Sequence, residues 1–92
     1  MKTKQEKGFA IVETTYFENG NIEEIDTLSV GEIGSWRDLQ KLVELIYQKR
    51  YMGSLQYEIS WDDDSLGFSA FDTRLGHVVS DVRALITDFV EL

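Results

Sequence analysis

Asn19-Gly20-Asn21 stands between two runs dense in β-branched and aromatic residues, and this punctuation restricts the fold more than any other feature of the chain. An Asn-Gly pair supplies the positive φ angles of a tight hairpin turn, so two antiparallel strands are expected over about residues 9–18 and 22–31. A cleaner alternation follows further on. Leu55, Tyr57, Ile59 and Trp61 share one face, Gln56, Glu58 and Ser60 the other, and Leu66, Phe68 and Ala70 resume the pattern after a break. This predicts a second hairpin with residues 62–65 at its bend.

Between the hairpins, Trp36, Leu39, Val43 and Ile46 recur at helical spacing, and Leu42 and Leu45 widen the stripe. Ser35 followed by Asp38 resembles a capping box with the shorter acid, and Lys49 and Arg50 fall where cations favour the helix dipole. Near the end of the sequence, Val78, Val82, Leu85 and Phe89 hold the same period beside Val79 and Ile86. They predict a second amphipathic helix starting between Asp72 and His77. The expected fold is therefore α+β, a duplicated ββα plan: a four-stranded, mainly antiparallel sheet with two helices packed on one face. Residues 1–7 read as a flexible basic tail and residues 8–92 as a single domain, because a chain this short has too little interior for two cores.

Apolar residues make up 42% of the sequence, enough for a folded core despite a net charge of -8. Without cysteine there is no disulfide framework and no thiolate ligand. No long apolar run suggests a leader or a membrane span, so the expected compartment is the cytoplasm, with no membrane partner. The charge is unevenly spread. Residues 8–35 hold six acids and residues 51–73 five, neither with a base, whereas residues 36–50 hold four bases against two acids. Acids on hairpins and cations on helices would make the sheet's open face and rim strongly negative. With no proline in the chain, charge is also the main protection of the edge strands.

The stretch WDDDSLG resembles a calcium loop only superficially. Counted from Asp62, Leu66 occupies the fifth ligand position and Thr73 the twelfth, where a glutamate belongs. Aspartates also serve turns by bonding the backbone two residues on, and that reading is preferred. His77 is the only imidazole, with no cysteine or serine motif around it, and the glycines lack the spacing and lysine of a phosphate loop. No catalytic, cofactor or metal residue is assigned. Direct nucleic-acid binding is disfavoured, since Arg37, Lys41, Lys49 and Arg50 are few and interleaved with Asp38 and Glu44.

The expected function is that of a non-enzymatic acidic protein-binding module, an inhibitor or immunity-type protein acting as a nucleic-acid mimic. Its partner would be a basic protein surface, such as that of a nuclease. Small acidic proteins of bacteria and their phages are the analogy, at the level of size and charge alone. The candidate contact residues are Glu24, Asp26, Glu58, Asp62, Asp63 and Asp64. Two alternatives stand beside it: a self-associating homodimer using a partly apolar open face that includes Phe9, Ile11, Phe17 and Phe71, and a small hydrolase or ligand-binding domain.

Overall fold

The first hairpin closes at the Asn-Gly pair. Gly20 takes φ 87°, its amide donates to the Phe17 carbonyl at 2.9 Å, and the Phe17 amide donates to the Asn21 carbonyl at 2.8 Å. Strand β1 (Lys4–Tyr16) thus turns back into β2 (Ile22–Glu32). The computed structural model describes residues 4–91. After these strands come α1 (Trp36–Arg50), β3 (Tyr57–Trp61), β4 (Gly67–Asp72) and β5 (His77–Glu91). All strands join one five-stranded sheet in the order β2-β1-β5-β4-β3, each neighbouring pair antiparallel.

This corrects the expected four-stranded sheet with two helices: there are five strands and one helix. Residues 77–91 carry apolar side chains on both faces of a strand, and such a pattern also satisfies the helical period. Two things decide against the helix. Val78, Val79, Val82, Ile86 and Thr87 are β-branched and favour extended backbone. Pairing matters more. One edge of β5 takes β1, from Thr15 opposite Ser80 to Lys4 opposite Glu91, and the other takes β4, from Asp72 opposite His77 to Gly67 opposite Arg83. As a helix, the same residues would leave the inner edges of both hairpins without hydrogen-bond partners. His77 accordingly opens a strand.

Of the segment read as a tail, residues 1–3 lie outside the described residues, and residues 4–7 pair in register with residues 88–91. The pairing of β2 with β1 stops at Gly8 opposite Glu32. The β1–β5 ribbon therefore runs past the other strands and helps set a long axis of 58 Å.

Ser35 caps α1, its Oγ accepting the Asp38 amide at 3.1 Å, and Lys49 and Arg50 occupy the last turn. Leu39 and Val43 are buried on Phe9, Ile11, Phe68 and Val82, with Ile46 and Tyr47 partly buried beside them. Trp36, Leu42 and Leu45 of the expected stripe remain exposed, because no second helix covers their flank. At the helix's C-terminal half, Tyr47 meets Trp61 and Phe68 edge-on at ring separations of 5.4 and 6.0 Å, and Tyr51 meets Tyr57 at 5.1 Å. Among the described residues no helix is long and apolar enough to cross a membrane.

The core makes a direct prediction. Phe68→Ala should lower unfolding stability by about 3–5 kcal/mol, whereas Leu55→Ala, at a side chain 97% exposed, should change it by less than about 0.5 kcal/mol. Urea denaturation checks both, and equal effects would remove Phe68 from the centre of the core.

Candidate interaction surface

Three irregularities set which side chains point where. In an antiparallel pair, directly opposed residues share a face, so Phe9 and Ile11 of β1 lie on the helix side together with Gly31 and Ser29 of β2. Strict alternation would then carry Thr27 and Ile25 to the helix side and Asp26 and Glu24 to the open side. A bulge at Leu28 reverses this, since Ile11 pairs with Ser29 but Val12 with Thr27. Leu28 turns in against the core. Asp26 and Glu24, opposite Glu13 and Thr15, thereby join the helix side, and Ile25, opposite Thr14, joins the open side. A second irregularity at Glu23 places Ile22 opposite Tyr16, again on the open side. A third, at Val79, lets Val78 meet Phe71 while Ser80 still meets Ala70.

The six candidate carboxylates are consequently divided. Glu24 and Asp26 stand two apart on the helix side of β2, both exposed and on the flank of the sheet away from Trp61 and Tyr57, where the helix packs. Glu58 pairs with Phe71 on the opposite face, at the other edge of the sheet. The three aspartates at the β3–β4 bend diverge. Asp62 forms an ion pair with Arg83. The Asp64 carboxylate accepts the Leu66 amide at 3.0 Å, two residues on, and its carbonyl accepts the Gln40 side-chain amide at 2.7 Å. Asp63 is exposed. The bend closes as a turn, with the Asp62 amide donating to the Gly67 carbonyl at 2.9 Å and Ser65 at φ 60°. Gly67 is required there. A Cβ at this position would sit 2.9 Å from the Val82 carbonyl oxygen and 2.7 Å from an Asp62 carboxylate oxygen.

Arg83 links the bend to the sheet. Its Nε donates to Asp81 Oδ2 at 3.1 Å; Oδ1, enclosed and 3.0 Å from the same nitrogen, lacks hydrogen-bond alignment. Burial works against the Arg83 charge, but Asp81 and Asp62 outweigh it and hold the guanidinium above its ordinary value. A second long-range cluster surrounds Glu13, which is 8% exposed. Ser80 Oγ donates to its Oε2 at 2.8 Å, and Arg50 from the end of α1 pairs with its Oε1. That contact raises the Arg50 guanidinium further, while burial pushes the Tyr51 hydroxyl up. The sequence places Glu13 on the face of Phe9 and Ile11 but points to neither of its partners, nor to Asp81 or Arg83, because each pairing depends on strand order.

Glu13, Tyr51, His77 and Ser80 line one open cleft, where a hydrolytic set would be sought. Ser80 is engaged as a donor to Glu13, and His77 Nδ1 lies 3.0 Å from the Val78 carbonyl oxygen. The Ser80 hydroxyl is thus tied to a carboxylate that Arg50 also engages. The arrangement holds the helix end on the sheet.

On the open side the cross-strand rows read Val30-Ala10-Leu85, Thr27-Val12-Arg83 and Ile25-Thr14-Asp81. Ile25, Val30 and Leu85 are 60%, 69% and 51% exposed. The face expected to be strongly negative instead mixes aliphatic residues with Thr14, Thr27, Asp81 and Arg83 across β2, β1 and β5. Comparison with known protein families, with curated proteins and with solved structures finds no significant match to this chain.

Asp72 offers a test of the local electrostatics. The Leu75 amide, then the Gln56 side chain and the Arg74 amide, hold its carboxyl below the usual aspartate range against the opposing effect of burial. A carboxylate depressed in this way stabilises the fold above its unfolded value of about 3.9, and the contribution disappears as pH falls through the lower folded value. Asp72→Asn should flatten the loss of stability on acidification below about pH 4. If urea midpoints of the variant fall as steeply with pH as those of the parent, Asp72 has no part in the acid response.

Proposed function

We propose that this chain is a non-enzymatic protein-binding module that docks the end of its β1–β2 hairpin on a basic surface of another protein, such as the nucleic-acid-binding surface of a nuclease. The observation that carries this reading is the state of β2. It is an edge strand, residues 22–27 are all exposed, and Glu24 and Asp26 project from one side of it. No lysine or arginine occurs in residues 8–35, and the nearby Arg50 is engaged by Glu13.

An edge strand presents unpaired amides and carbonyls to any extended segment. Carboxylates beside that edge select among such segments: another β2 would bring glutamate against glutamate, whereas a segment with alternating lysines or arginines would gain at each pair. Carboxylates two apart along a strand repeat at about 6.6–6.8 Å, a fixed row that a groove built for phosphates can accept. Association of this kind is fast and weakened by salt. The docking set narrows to Glu24 and Asp26, with Glu23 and Glu18 near the bend. Glu58 faces away, Asp62 is held by Arg83, and Asp64 serves its turn.

Fluorescence anisotropy with a labelled peptide of alternating lysine and valine tests the reading. Binding should weaken steeply as salt is raised. Glu24→Gln combined with Asp26→Asn should reduce affinity by about three- to tenfold, and Glu58→Gln should leave it unchanged. Binding that ignores salt, or an equal loss from Glu58→Gln, would overturn the proposal.

A further inference from the structure

We infer that the cleft between α1 and the β3–β4 bend binds a small planar aromatic anion, of the kind a free nucleoside diphosphate presents. This is independent of docking at β2, which forms the opposite edge of the sheet from β3. Arg37, Lys41 and Glu44 line the cleft from the helix, Tyr47 and Trp61 give it aromatic walls, and Ser65 adds a hydroxyl from the bend. Its volume of about 560 Å³ falls within the roughly 300–1,000 Å³ of small-molecule sites. The two sides are tied together, because the Gln40 side-chain amide donates to the Asp64 carbonyl at 2.7 Å.

The cations are the unusual part. In a chain with 17 acids against 9 lysines and arginines, Arg37 and Lys41 stand four apart on one helix, and neither has an acid within ion-pair distance among the described residues. Like charges at that spacing destabilise a helix. Arg37 also lies in the first turn of α1, where the helix dipole disfavours a cation. Two local rules are thus broken at one place, as happens at functional sites. An anion held between the two side chains offsets both costs.

The ring completes the ligand class. Trp61 packs on Phe68 and Tyr47 at ring separations of 5.0 and 5.4 Å, yet 38% of the residue stays exposed. A ring fixed in this way offers a stacking surface to a flat heterocycle. Arg37 and Lys41 then take the phosphates, and Glu44 supplies an acceptor for an amino group of the base. A bare phosphate would leave the ring unused, and an uncharged aromatic would leave the cations unrelieved. The rest of the molecule limits the length of the anion. At net charge -8 a nucleic acid strand is repelled along its length, whereas a single nucleotide meets chiefly the charges of the cleft, since those beyond about 8 Å are screened.

NMR titration of isotope-labelled protein with adenosine diphosphate, in buffer free of divalent cations, tests this and reports the fold of each variant in the same spectra. The Trp61 indole signal and the amides of Arg37, Lys41 and Ser65 should shift together and saturate. Adenosine and pyrophosphate should each bind at least about tenfold more weakly than the nucleotide. Arg37→Gln combined with Lys41→Gln should weaken nucleotide binding about tenfold, Trp61→Leu at least about fivefold, and Lys49→Gln, outside the cleft, should leave it unchanged. If Trp61→Leu loses its fold, the two substitutions on the exposed helix surface decide the matter alone. No shifts at millimolar nucleotide, pyrophosphate binding as tightly as the nucleotide, indifference to loss of Arg37 and Lys41, or an equal loss in Lys49→Gln would overturn the inference.

Discussion

Strand β5 has hydrogen-bond partners along both edges, and the rest of the molecule depends on that double pairing. Without it the β1–β2 and β3–β4 hairpins would be separate two-stranded pieces, each of marginal stability in water. With it, the first and last strands lie side by side in the middle of the sheet, and the link from β2 to β3 must travel from one edge to the other. The helix makes that crossing and covers Phe9, Ile11, Phe68 and Val82 on the way. The Glu13–Ser80 contact spans 67 residues, so the central pairing requires closure of nearly the whole chain. Topologies dominated by such contacts fold slowly for their size.

The bulges carry the next level of organisation. Side-chain direction in a strand has period two, so one additional residue exchanges faces for everything beyond it. Leu28 is such a residue. Its insertion buries an apolar side chain, and the same displacement puts Glu24 and Asp26 on one side and Ile25 on the other. Alternation along β2 separates Glu24 and Asp26 from Ile25, and this one irregularity decides which face of the sheet each set takes.

What could be read from the sequence was local. The Asn-Gly turn, the Asp64 side chain bonding two residues on, and the Ser35 cap each involve groups within a few residues of one another, and all three are present. The chain 77–91 was misread because valines on both faces of a central strand also fit a helical stripe; only the existence of two unpaired edges elsewhere decides between them. The phase of β2 was illegible for a related reason, since a bulge has no signature in hydrophobic alternation and shows only against its partner strand. Cations were expected to ride helices apart from the acids. Arg83 instead lies in the sheet between Asp81 and Asp62, and Arg50 reaches from the helix to Glu13. Both pairs join residues that strand order alone brings together.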